Sequence, residues 1–163
     1  MDMNSKLLPT DTTNLHLYQP KFSDYPELIA LWEASVRATH DFLKEEDILH
    51  YKELIFNKYF DAVELYSLKA NDWILGFLGL SDDSIQMLFI HPDARGRGIG
   101  KLLLQFALEE KDIKKVDVNE QNEQALGFYK HMGFIVTDRS AADAAGKPHP
   151  VLTMELKIFI DSQ

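Results

Sequence analysis

The chain has 163 residues, 45% of them apolar and 26% charged, which suits one globular core that needs no metal or disulfide staple. It contains no cysteine, so disulfide frameworks, Cys-based zinc sites and cysteine nucleophiles are all excluded. Seventeen Lys and Arg against 26 Asp and Glu give a net charge of −9, which repels phosphate backbones and argues against nucleic acid as a partner.

Residues 1–13 are polar and are expected to form a flexible N-terminal segment, with 14–160 as a single domain. Met1 to Pro20 has no apolar signal-peptide region, and no apolar run approaches the ~20 residues of a membrane helix. No membrane partner is therefore expected, and the expected location is cytoplasmic.

A short strand is predicted over 14–19, followed by an amphipathic helix over 24–39 with Ser23 or Asp24 as N-cap and Pro26 in its first turn. Its apolar stripe is Leu28, Leu31, Trp32 and Val36. A second helix, over 45–59, presents Ile48, Leu49, Leu54, Ile55 and Tyr59 on one stripe. Three strands follow over 63–70, 73–80 and 85–90, with turns at Asn71-Asp72 and Ser81-Asp82-Asp83. After His91-Pro92 a glycine-rich segment leads into a helix over 98–111, and a strand over 115–118 comes next. A helix over 122–132 ends at Gly133, in the position of a C′ residue. Two last strands, 134–138 and 151–158, flank a loop rich in Ala, Gly and Pro. The order β-α-α-β-β-β-α-β-α-β-β predicts an α/β fold: an antiparallel meander, a βαβ unit over 85–118, and a mixed sheet covered by helices.

Within that βαβ unit stands Arg95-Gly96-Arg97-Gly98-Ile99-Gly100-Lys101. Three glycines in five positions let the backbone approach a ligand, and free amides at a helix start favour an anion, most naturally phosphate. Arg95, Arg97 and Lys101 add positive charge. The loop is not a Walker A motif, which would need glycine at Arg95 and Ser or Thr at Leu102. Nor is it a dinucleotide fingerprint, which would need glycine at Lys101 or Leu103. Further on, Asn122, Ala125 and Tyr129 sit at i, i+3 and i+7 on one helix face, where the small residue leaves room for a ligand.

Arg95, Gly98 and Gly100 resemble the hallmark loop of the GCN5-related N-acetyltransferases, and Asn122, Ala125, Phe128-Tyr129 and Gly133-Phe134 resemble that family's second signature. The stretches 35–43 and 118–125 are similar to a bacterial YjaB-type branch. The resemblance implies the GNAT fold, a mostly antiparallel sheet with a βαβ unit for acetyl-CoA, and transfer of acetyl to a primary amine by direct attack in a ternary complex. It implies that the main chain of Leu88, Phe89 and Ile90 binds the pantetheine arm. The amides of Gly96, Arg97, Gly98, Ile99, Gly100 and Lys101 would hold the pyrophosphate, with Arg95, Asn122 and Ala125 beside the cofactor. Tyr129 would stand next to the sulfur as a catalytic donor.

Asp117 occupies a position where some members carry a catalytic carboxylate, and is taken with Tyr129 as the catalytic pair. His40 and Glu120 are other candidate bases, and His149, in the loop Gly146 to Pro150, is a candidate for the acceptor pocket. The histidines show no ligand spacing and there is no His-Glu-x-x-His motif, so no metal is expected. An alternative reading is a non-catalytic acyl-CoA-binding or regulatory domain on the same scaffold. The acceptor is not readable, and a homodimer is left open.

Overall fold

The computed structural model describes residues 14–157. The segment expected over 1–13 and the end of the strand expected over 151–158 lie outside the described residues. The strands are β1 Leu15–Tyr18, β2 Glu64–Ala70, β3 Trp73–Ser81, β4 Ser84–Ile90, β5 Lys115–Asn119, β6 Phe134–Ser140 and β7 Val151–Leu156. They form one sheet in the order β1-β2-β3-β4-β5-β7-β6. The neighbours pair antiparallel except β4 and β5, which are parallel. The β2-β3-β4 meander thus matches expectation. Its turns place Asn71 and Asp82 at φ 55, a conformation that Asn and Asp tolerate better than most residues.

β3 is buried over nearly its whole length because both faces of the sheet are covered. Leu75 and Leu78 pack into one cluster with Ile99, Leu103 and Leu104 of helix α4 (Ile99–Glu109). Ile74 and Phe77 pack into the other, with Leu28 and Trp32 of helix α1 (Tyr25–Thr39). The spacing of three within each pair, where a regular strand would give two, reflects the register shift opposite Leu68/Lys69, at which Leu68 pairs with Gly76 and Lys69 with Ile74. Gly76 fits between them because a Cβ there would lie 2.8 Å from Ile90 Cδ1 and 3.0 Å from Ile99 Cγ2.

Two local expectations change. Asp24 precedes α1 as predicted but caps nothing in it. Its carboxylate accepts from the Lys21 amide at 2.8 Å and the Tyr18 hydroxyl at 2.6 Å, closing the 3-10 turn Phe22–Asp24 instead. The second helix is not uniform: α2 (Glu45–Leu54) runs through a π-helical turn, Ile55–Tyr59, into the short α3 (Phe60–Ala62). The wider turn breaks the 3.6-residue stripe. Ile48, Ile55 and Phe60 reach the core, while Leu49 is 53% exposed. The remaining helix is α5, Glu123–His131, and Gly133 follows it at φ 98 as a glycine C′ requires.

What positions the site is the end of β4–β5 pairing. The parallel register covers only Ser84↔Lys115 and Ile85↔Val116. Beyond those pairs no β4–β5 pairing occurs among the described residues, so Gln86 to Ile90 and Asp117 to Asn119 border a gap in the sheet. Among the described residues no helix is long and apolar enough to cross a membrane.

Candidate active site

One end of the gap is the glycine loop. Gly96 and Gly98 sit at φ +77 and +79, where an L side chain is strained, and among the described residues nothing lies within 4 Å of the place a Cβ would occupy. Gly98 is the N-cap of α4, so the amides of the helix's first turn point out of its positive end. At Gly100 an added Cβ would make only ordinary contacts, 3.6 Å to Phe128 Cζ and 3.7 Å to Ile90 Cγ1. Arg97 donates to the Asp93 carbonyl at 2.9 Å, and Lys101 is exposed.

Arg95 is different: its Nη2 is buried with no hydrogen-bond partner among the described residues. A buried unpaired donor is costly, and a guanidinium more so. It borders a cavity of about 180 Å³ shared with Leu88, Phe89, Ile90, Asn122 and Tyr129. No carboxylate lines this loop-side cavity among the described residues. Its chemistry suits an anionic ligand with an apolar arm.

The gap itself holds a second cavity of about 200 Å³, bordered by Met87 to Phe89 on β4, Val116 to Asn119 on β5, and Tyr129. Tyr129 is only 5% exposed, its ring 5.1 Å from that of Phe128 and 5.6 Å from that of Phe134. Burial pushes its hydroxyl well above the usual tyrosine range, so it is held as a neutral donor.

A third cavity, about 480 Å³, opens on the other side of the gap, over a floor made by the far strands. Asp117 pairs with Thr153 across β5–β7, and Thr153 with Asp138 across β6–β7. The three therefore stand in one row, and the Thr153 hydroxyl donates to Asp117 at 3.0 Å. Asp117, Asp138 and Asp143 line this floor cavity, and among the described residues no Lys or Arg does. Asp143 accepts from the Tyr51 hydroxyl and from the amides of Ala145 (3.0 Å) and Lys147 (2.9 Å), which ties the β6–β7 loop to α2.

His40 and Phe89 border all three cavities. At the end of α1, His40 meets Asn122 and Thr39, and burial, with the Arg95 guanidinium nearby, lowers its imidazole to about 4. Glu120 and His149 stand apart from these cavities. Glu120 is paired with Arg139 and borders an outer cavity near Asp41 and Phe42. His149 faces Asp47 at 3.6 Å and packs its ring 6.1 Å from Phe42. Sequence reasoning missed Tyr51, Asp138, Asp143 and Thr153. The Thr153 row follows from the sheet order, and Tyr51 and Asp143 lie 92 positions apart with no linking motif. No group of three or more His, Asp or Glu among the described residues is placed to hold a metal ion.

A family model described as an acetyltransferase (GNAT) domain matches residues 40–157. The peptidyl-lysine N-acetyltransferase YjaB of Salmonella typhimurium is 41% identical over 140 residues, covering 86% of this chain and 97% of the relative. The solution structure of apo YjaB from Escherichia coli superposes with a TM-score of 0.80 at 40% identity, covering 87% of this chain and 97% of the other. A PaiA N-acetyltransferase from Thermoplasma acidophilum, solved with coenzyme A, shares the fold with a TM-score of 0.66 at 22% identity, covering 86% of this chain and 98% of the other.

Proposed function

The chain belongs to the acetyltransferase (GNAT) family, and on that premise we propose that it transfers acetyl from acetyl-CoA to a lysine side chain of a polypeptide. The observation that carries this reading is the division of charge across the gap. Among the described residues the loop-side cavity has a guanidinium with one buried, unpaired nitrogen and no carboxylate, while the floor cavity has three carboxylates and no Lys or Arg. An anionic donor suits the first and a cationic amine the second. The lysine acceptor is also what the YjaB relatives are named for.

The loop fits the cofactor on two counts: the orphaned Arg95 Nη2, and the open space outside Gly96 and Gly98. In this reading Arg95 and the amides of Gly96 to Lys101 hold the pyrophosphate. The unpaired edge of Leu88 to Ile90 takes the pantetheine arm, beside Asn122 and Ala125. Acetyl-CoA supplies the thioester acetyl group and a sulfur that leaves with negative charge.

A lysine amine, pKa about 10.4, arrives protonated and must lose a proton before it can attack. Asp117, which borders both the gap and the floor cavity, is placed in this reading to take it. Tyr129 donates a hydrogen bond to the sulfur. With its pKa raised, it remains a donor rather than giving up its proton outright, and that bond strengthens as charge develops.

The test incubates the protein with acetyl-CoA and two peptides, one N-terminally blocked with a single lysine, the other with a free terminus and no lysine. Gly98→Asp, which puts bulk and negative charge in the loop, is run beside wild type. Acetylation of the lysine peptide alone by wild type, with acetyl-CoA binding lost in Gly98→Asp, supports the proposal. Acetylation of the free terminus alone overturns the acceptor assignment. Equal acetyl-CoA binding by both proteins overturns the loop assignment.

A further inference from the structure

Between the loop-side and floor cavities runs a chain of hydrogen bonds in which every atom has one available role. The Asn122 side chain caps α5: its Oδ1 accepts from the Ala125 amide at 3.1 Å. That fixes which way the amide points, so Nδ2 is the atom 3.1 Å from His40 Nε2. An amide nitrogen only donates, so His40 Nε2 must present its lone pair. On the other side of the ring, Nδ1 lies 2.7 Å from Thr39 Oγ1, whose own hydrogen goes to the Ser35 carbonyl at 2.7 Å. Thr39 therefore accepts there, and Nδ1 carries the hydrogen.

We propose that His40 is a positioning residue, fixed as the neutral Nδ1–H tautomer, that locks Asn122 and the start of α5 to the end of α1. The inference rests on the cofactor reading above, in which Asn122 and Tyr129 share one face of α5. Its first consequence is negative. The Nε2 lone pair is committed to Asn122, so His40 is not the base that takes the acceptor's proton, although it borders all three cavities.

The second consequence is mechanical. α1 supplies Trp32 and Val36 to the floor cavity, and α5 with its N-cap supplies Asn122, Ala125 and Tyr129 to the loop-side cavity. His40 joins these two walls at the point where the cavities meet.

The surroundings favour the neutral ring. Protonation would set an N–H of Nε2 against the Asn122 amino group and add a cation near Arg95. Asp41, next in the chain, pulls the other way, and Asp117 borders two of the same cavities. Burial and Arg95 outweigh Asp41.

Two measurements test this on the full chain. Nitrogen-15 NMR of the imidazoles, without ligand and between about pH 5.5 and 8, should show His40 as a non-titrating Nδ1–H tautomer. An Nε2–H tautomer, or titration inside that window, overturns the proposal. The second compares His40→Gln, which keeps an acceptor at the Nε2 position but cannot titrate, with His40→Leu, which keeps neither. His40→Gln should hold kcat and the KM for acetyl-CoA within about 3-fold, with the acid limb of kcat/KM unchanged.

His40→Leu should raise the KM for acetyl-CoA about 10-fold, as expected when one hydrogen bond is lost and its donor left unpaired. A fall in kcat of about 100-fold or more in His40→Gln, with loss of the acid limb, makes His40 the base and overturns the proposal. If wild type fails to bind acetyl-CoA the cofactor reading fails by itself, and the ligand-free tautomer still decides the hydrogen-bond chain.

Discussion

Tyr129 and Asp117 border the same gap between β4 and β5, but Tyr129 also lines the loop-side cavity and Asp117 the floor cavity. A donor for the leaving sulfur and an acceptor for the amine proton need that separation, because a single group cannot hold and lack a proton at once. Under the proposed mechanism Tyr129→Phe should lower kcat by about 10²–10⁴, with the KM for acetyl-CoA within about 3-fold. The phenylalanine ring keeps the packing against Phe128 and Phe134, so folding should survive. Because its pKa is raised, Tyr129 should give no alkaline limb to the kcat profile below about pH 10. Steady-state kinetics across pH would sink the role if Tyr129→Phe kept the wild-type kcat.

Arg95 is expected to trade stability for binding. Its buried Nη2, without a partner among the described residues, costs the ligand-free protein roughly 1–3 kcal/mol in lost hydration. Arg95→Met keeps much of the aliphatic stem and removes the orphan donors. The variant should be about 1 kcal/mol more stable to urea without ligand, yet bind acetyl-CoA about 10-fold or more weakly. Equal affinity in the two proteins would mean that the guanidinium faces no ligand group.

How far the site could be read from the chain follows from the range of each interaction. The loop from Arg95 to Lys101 and the face Asn122, Ala125, Tyr129 are local: a turn's conformational demand and a helix's periodicity are written in neighbouring residues. The order of all the major elements was legible for the same reason. The gap was not, because it depends on β4–β5 pairing stopping after Ile85↔Val116, and strand separation leaves no mark in either strand's composition. The row Asp117, Thr153, Asp138 needs β7 to insert between β5 and β6, a crossover no hydrophobic pattern encodes. Glu120 stood behind Asp117 as a candidate base, and only the fold brings Arg139 against it, 19 positions away. The π-helical turn was hidden because its residues still read as an apolar helical stripe.

The bond from Tyr51 to Asp143 should govern the acceptor and leave the cofactor alone. Both residues line the floor cavity and neither lines the loop-side cavity. Asp143 organises the β6–β7 loop through the Ala145 and Lys147 amides, and Lys147 also faces Asp47 of α2 at 3.6 Å. In Tyr51→Phe one charge-assisted hydrogen bond is lost, so the KM for the lysine acceptor should rise about 10-fold. The KM for acetyl-CoA should stay within about 2-fold, and hydrogen exchange at Ala145 and Lys147 should quicken. An unchanged acceptor KM with faster exchange would show that the loop moves without shaping recognition.

His40 should leave a trace in the stability of the protein against pH. Its ordinary value is 6.5 and its folded value about 4, so as pH falls the unfolded chain takes up the proton first. The folded state is therefore fully favoured above about pH 6.5 and loses stability as pH falls toward 4, by at most about 1.4 kcal/mol per unit. His91, also lowered by burial, contributes in the same direction. His40→Gln removes only the first contribution, so urea unfolding at about pH 7 and 4.5 should show wild type losing on the order of 2 kcal/mol more than the variant. Carboxylates held below their usual range, such as Asp24 and Glu33, add acid sensitivity to both proteins alike and cancel in the difference. Parallel losses in the two proteins would mean that His40 takes up its proton as readily folded as unfolded, and that the bonds to Asn122 and Thr39 do not hold the ring neutral.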